Sequence, residues 1–179
     1  MKSIPDILRK NIKGDTLFDT FSKGLYSTDA SIYQIEPMGV VLPKTVDDIV
    51  STLQIANQHS TSVTPRGAGT SQSGQSIGPG LVVDTSKHLN GFGEIDHHKK
   101  RIKVQPGIVL DHLNQFLKPH GLFFPVDVAT SSRATIGGMA ANNSAGSRSI
   151  KYGMMVDNVT SIQGLMAVSY THLTLPTKA

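Results

Sequence analysis

The sequence predicts a mixed helix-and-strand domain on three observations. Short apolar runs end at proline or glycine, amphipathic stretches lie between them, and two segments are dense in glycine and other small residues. With 179 residues, 38% of them hydrophobic and 17% charged, the chain is long enough for a real core and too apolar to stay disordered. The clearest unit is "MGVVLPKTVDDIVSTLQIANQHSTSVTPRG". Val40, Val41 and Leu42 make a short buried strand that Pro43 ends. Thr45 is placed to cap a helix whose first turn holds Asp47 and Asp48, and Val46, Ile49, Val50 and Leu53 recur at helical spacing. That helix should end between Asn57 and Ser60. A second strand follows in "TSVTP", and the strand-helix-strand order implies parallel pairing. A shorter helix over Ile4 to Ile12 precedes this unit.

Five glycines between Thr64 and Gly80 lead into a third apolar strand, "GLVVDTS". Beyond it, "GEIDHHKKRIKVQPG" reads as an antiparallel hairpin with Ile95, Ile102 and Val104 inward and the basic run Lys99-Lys100-Arg101 at its turn. "IVLDHLNQFLKPHG" is an amphipathic helix with Val109, Leu113, Phe116 and Leu117 on one face and Gly121 just past its end. From Leu165 onward the pattern breaks. Residues 165–179, "LMAVSYTHLTLPTKA", show no caps and no strand partner, and are expected to be non-native.

Composition narrows the function. The net charge of +4 is dispersed except at the 99–101 run, so nucleic acid is not an expected partner. No apolar stretch approaches the roughly 18 residues of a membrane span, and the N-terminus carries charges where a signal peptide would be apolar. The expectation is a cytoplasmic protein with no transmembrane segment, peripheral membrane attachment of a full-length form being left open. The chain has no cysteine, so it holds no disulfide, thiolate metal site or cysteine-ligated iron–sulfur cluster of its own. His97 and His98 are adjacent on an extended segment, which sends their side chains apart and argues against a metal pair. His88, His112 and His120 show no ligand spacing, so no metal site is expected. Asp84 ends a strand with no dinucleotide-binding helix before it and is read as structural.

Glycines in turn conformations free backbone amides to form anion sites, so the loop after the second strand is a candidate phosphate cradle. It lacks the third glycine of G-x-G-x-x-G and the Gly-Lys-Ser/Thr of a Walker loop. A plain surface loop therefore remains open on this segment alone. The second small-residue segment, from Pro125 to Gly153, suggests backbone packed against a large polar ligand.

Together, "PRGAGTSQSGQ", "PVDVATSSRATIGGMAANNSAGS" and "KYGMMVDNV", in this order, resemble the FAD-binding domain of the p-cresol methylhydroxylase and vanillyl-alcohol oxidase flavoproteins. They are most similar to the bacterial FAD-linked 2-hydroxyacid dehydrogenases of the glycolate oxidase, D-lactate dehydrogenase and D-2-hydroxyglutarate dehydrogenase type. "YSTDASIYQIEPMGVVLPKTVDDIV" resembles that group's lead-in, so the likeness runs from Tyr26 to Gln163. The resemblance implies an α+β, PCMH-type FAD-binding fold of two α/β subdomains with FAD between them, truncated at the C-terminus. Residues 1–35 would be the lead-in, 36–92 the first subdomain and 93–164 the second.

The same resemblance implies the site. Pro65, Arg66, Gly67, Ala68, Gly69, Thr70 and Ser71 match the loop that wraps the FAD pyrophosphate, and Gly74 and Gln75 its continuation toward the flavin. Pro125, Asp127, Thr130, Thr135, Gly137 and Gly138 match a second strip along the cofactor. Asn142, Asn143, Ser144 and Gly146 match the loop near the isoalloxazine and ribityl chain, which Tyr152 and Gly153 close. Relatives that bind flavin covalently carry histidine where this chain has Thr70, which implies non-covalent FAD. The implied reaction takes a hydroxyl proton and an α-hydride from a small 2-hydroxyacid. Electrons would pass on to an iron–sulfur module, a quinone or another acceptor, with any iron–sulfur cluster in a missing C-terminal module or partner. Catalytic groups would come from a cap domain, so no catalytic residue is assigned. Alternatives are a fragment that binds FAD without activity of its own, and a nucleotide-sugar reductase relative.

Overall fold

The computed structural model describes residues 3–165 and 172–176, the latter as backbone. The chain folds as two compact units, one running to Leu89 and one starting at Asn90. In the first, α1 (Ile4–Asn11), β1 (Asp15–Leu17) and α2 (Thr20–Tyr26) precede the strand-helix-strand unit β2 (Gly39–Leu42), α3 (Val46–Gln58) and β3 (Val63–Arg66), followed by β4 (Leu81–Asp84). The sheet order is β1-β2-β4-β3, with β1 antiparallel to β2, and with β2 and β3 each parallel to β4.

The expected parallel relation of β2 and β3 holds, but β4 lies between them. Pro65 supplies the physical reason. Lacking an N–H, it cannot serve a ladder on both sides, so β3 takes an edge while the wholly apolar Leu81-Val82-Val83 run takes the centre. Strand alternation then sorts the core. Val41, Leu81 and Val83 pack with Leu8, Ile12, Ile55 and Ala56 on one face, and Val40, Leu42 and Val82 pack on the other.

Helix α3 begins where its sequence indicates, with Thr45 and Asp48 forming a reciprocal capping box. Its buried face is different from the expected one. Asp48, Thr52, Ile55 and Ala56 are buried, whereas Val46 is exposed. The cause is Asp48, whose Oδ1 accepts the Lys13 amide at 2.8 Å and whose Oδ2 accepts those of Lys44 at 2.8 Å and Thr45 at 3.2 Å. An aspartate with that many donors fixes the helix rotation.

Asp15 on β1 carries a looser cluster, 3.0 Å from His88 Nε2, 3.5 Å from Lys44 Nζ and 3.7 Å from Lys87 Nζ. The His88 hydrogen bond is the main cause holding the Asp15 carboxyl below its ordinary value. The pair is solvent-screened, so Asp15→Asn is expected to cost under about 1 kcal/mol in urea unfolding.

In the second unit, β5 (Phe92–Asp96) and β6 (Arg101–Val104) form the expected hairpin, and Ile95, Ile102 and Val104 pack on its core. Helix α4 (Leu110–Leu117) and a 3-10 turn (Lys118–His120) end at Gly121 in the left-handed conformation, φ 68°. Leu110, Leu113 and Leu117 are the buried positions. Phe116, expected inside, instead stacks on Phe92 at 4.3 Å, and Val109 is the residue before the helix. Leu113 and Leu117 are buried as expected, and Leu110 takes the place assigned to Val109 because the helix starts one residue later.

Helices α5 (Ile136–Ala141), α6 (Ser149–Tyr152) and α7 (Met155–Asn158) follow, then β7 (Ser161–Leu165) and β8 (His172–Pro176) as an antiparallel pair. Residues 161–165 thus have a strand partner that the sequence did not indicate. Of the segment expected to be non-native, residues 166–171 and 177–179 lie outside the described residues. Among the described residues no helix is long and apolar enough to cross a membrane.

Candidate functional site

The glycine loop leaves the C-terminal end of β3. Strand pairing stops at Arg66, whose carbonyl accepts the Thr85 amide at 3.1 Å, and the amides from Gly67 to Gln72 find no acceptor among the described residues. On a partly exposed loop such donors are open to water or to an anion. Further along, Ser71 Oγ accepts the amides of Ser73 at 3.2 Å and Gln75 at 3.4 Å, and contacts the Gln75 side-chain oxygen, which tightens the loop's far end. Gly69 has φ 67°, a conformation that glycine tolerates and L-residues resist.

Arg66 lies inside this loop rather than at its surface. Its Nη1 donates to the Ser76 carbonyl at 3.2 Å, and its guanidinium sits 5.1 Å from the centre of the Tyr26 ring. A side chain at position 69 would meet the guanidinium at 2.5 Å, so loop and arginine are packed as one piece. These residues suit a diphosphate: an open row of amides with a fixed positive charge beneath it. Pro65 stands exposed on the edge strand, and Thr70, within the row, is half-buried.

In the second unit, Asp127 accepts the Ser147 hydroxyl at 2.8 Å and the Arg148 amide at 2.9 Å, with the Arg148 guanidinium 3.7 Å away. The Arg148 amide, then the Ser147 hydroxyl, hold its carboxyl below the ordinary aspartate value. Gly146 passes so close to the Asp127 main chain that a Cβ would lie 2.5 Å from its carbonyl carbon. The structure therefore joins Asp127 to the Asn142–Gly146 loop.

Thr135 caps α5 by accepting the Gly138 amide at 3.3 Å, and the Gly137 amide donates to the Pro106 carbonyl at 2.8 Å. The Thr130 carbonyl accepts the amides of Arg133 and Ala134, closing a turn that Pro125 precedes. Asn142 folds back onto the Gly138 carbonyl. Asn143, at φ 46°, accepts the Val156 amide at 3.0 Å, and Ser144 accepts that of Met155 at 3.1 Å, so this loop is tied to α7. Tyr152 meets Phe123 edge-on at 5.7 Å, and Gly153 at φ 80° ends α6. Beside Asn143, residues Ala140, Met155, Val156, Val159 and Ile162 line an apolar concavity of about 260 Å³.

Sequence reasoning gave no role to Tyr26, Asp29 and Ser76, which pack at the glycine loop, while Asp84, read as structural, accepts the Tyr26 hydroxyl. A signal was present in "YSTDAS", a polar cluster with no solvated turn to explain it. The His97 ring lies 5.2 Å from that of His120. Among the described residues no group of histidine, cysteine or acidic side chains is arranged to hold a metal.

The first unit thus carries a row of open amides beside Arg66, and the second a small-residue strip tied by Asp127 to the Asn142–Gly146 loop. The chain belongs to the FAD binding domain family, which matches residues 37–168, and its cofactor is FAD. It is 39% identical over 166 residues to D-2-hydroxyglutarate dehydrogenase of Haemophilus influenzae, covering 91% of this chain but 16% of that protein. It is 34% identical to glycolate oxidase subunit GlcD of Bacillus subtilis, covering 87% of this chain and 34% of that protein. The wild-type BBE-like 1 structure from Physcomitrella patens superposes with a TM-score of 0.85 at 23% identity, over 99% of this chain and 38% of that one. The fold is thus the α+β, PCMH-type FAD-binding fold. The chain spans only a small part of the length of these relatives.

Proposed function

We propose that this chain is the FAD-binding part of a flavin-dependent dehydrogenase that oxidises a small 2-hydroxyacid, of the D-2-hydroxyglutarate, D-lactate or glycolate class. The observation that carries the cofactor half is the acceptor-free amide row from Gly67 to Gln72 above Arg66. The substrate half is supported by the D-2-hydroxyglutarate dehydrogenase and glycolate oxidase relatives. Bound FAD would supply the hydride acceptor. This chain's residues bind and orient it: the 66–71 loop takes the diphosphate, and Gly74 and Gln75 continue toward the flavin. Pro125, Asp127, Thr130, Thr135, Gly137 and Gly138 line the cofactor. Asn142, Asn143, Ser144, Gly146, Tyr152 and Gly153 shape the flavin end. With threonine at position 70, attachment is non-covalent. The electron acceptor is an iron–sulfur module, a quinone or another carrier.

The test is anaerobic mixing of the flavin-loaded whole protein with D-2-hydroxyglutarate, D-lactate and glycolate in turn. Bleaching of the flavin absorbance by one of them is expected. No bleaching by any, with bleaching by dithionite intact, contradicts the substrate class.

A further inference from the structure

The glycine loop is sorted by polarity. Its amides from Gly67 to Gln72 are unpaired among the described residues, while the Gly69 carbonyl accepts the Ala30 amide at 3.0 Å and the Ser76 carbonyl accepts Arg66. The Ala30 amide comes from outside the loop, and Arg66 from its start. Asp29 Oδ2 accepts the Ser76 hydroxyl at 3.0 Å and its Oδ1 accepts the Ser31 amide at 2.9 Å, which fixes Ala30 between them. Tyr26, whose ring carries the Arg66 guanidinium, donates its hydroxyl to Asp84 Oδ2 at 2.7 Å. Asp84 is itself buried and paired across the sheet with Arg66. The Tyr33 ring lies against Gly74, where a Cβ would meet it at 3.0 Å.

We propose that Asp29 with Ser76, and Tyr26 with Asp84, are positioning residues that hold the glycine loop from its outer side, so that its amides stay aimed at the FAD diphosphate. Fixing carbonyls outward is what keeps amides available, because a slack loop would pair its own donors and acceptors. The proposal rests on the cofactor reading given above. Burial works to raise the Asp29 carboxyl, yet hydrogen bonds from Ser31 and Ser76 outweigh it and keep the group below its ordinary value, charged and accepting.

The experiment uses 15N–1H spectra of the apo chain together with fluorescence titration of FAD. Asp29→Ala is expected to shift the amide signals of Gly67, Ala68 and Gly69 and to weaken FAD about tenfold, the effect of losing a hydrogen bond to a charged acceptor. Ser76→Ala should weaken it similarly, and the double variant no further than the worse single one. Asp29→Asn, which keeps an oxygen for Ser76, should restore most of the affinity. Loop signals that stay in place in Asp29→Ala, or that move with FAD affinity unchanged, overturn the proposal. Wild-type chain that gives no response to FAD is a distinct result: it removes the cofactor reading and the diphosphate role with it, whatever the loop signals do.

Discussion

Asp48→Ala is expected to destabilise the amino-terminal unit by about 3 kcal/mol. The Asp48 carboxylate is buried and accepts the Lys13, Lys44 and Thr45 amides, which join the end of α1, the turn after β2 and the start of α3. Alanine leaves those donors without an acceptor where water has little access. Asp48→Asn keeps one oxygen and should lose about half as much. Burial tends to raise this carboxyl, but the Lys13, Lys44 and Thr45 amides outweigh it and hold it low. A depressed folded value means that the stabilisation is full above the unfolded aspartate range, about pH 4, and is lost as pH falls through the folded value. Urea unfolding followed by circular dichroism between pH 7 and pH 3 measures both effects. A loss below about 1 kcal/mol for Asp48→Ala would contradict them.

Gly146→Ala is expected to weaken FAD binding by more than about tenfold, an overpacking cost of roughly 2 kcal/mol. The added Cβ would fall 2.5 Å from the Asp127 carbonyl carbon. Asp127 cannot retreat without releasing the Ser147 hydroxyl and the Arg148 amide. The clash therefore opens the staple that joins Asp127 to the Asn142–Gly146 loop, both proposed above to line the cofactor. Gly164→Ala, which meets nothing within 4 Å among the described residues, is the control and should bind as wild type. Fluorescence titration distinguishes the two.

The elements themselves were readable from capping and periodicity. Thr45, Gly121 and the hairpin at 92–104 stand where their residue types place them. What the sequence could not display was long-range partnership. The rotation of α3 follows from the Lys13 amide reaching Asp48 across 35 positions, and the strand order from a proline whose missing N–H matters only once neighbours are known. The site shows the same division. Both glycine-rich segments were legible as motifs, but the packing of the Arg66 guanidinium against the Tyr26 ring was not. Tyr26 and Asp84 are 58 positions apart, and no local pattern links them.

The most direct test of the account is the visible spectrum of the purified chain after incubation with FAD and gel filtration, recorded before and after acid precipitation. Flavin bands that co-elute with the chain and then appear wholly in the acid supernatant are predicted, as FAD held by backbone amides and not by a covalent bond. A folded chain that elutes without flavin, or flavin that stays in the acid pellet, would contradict it.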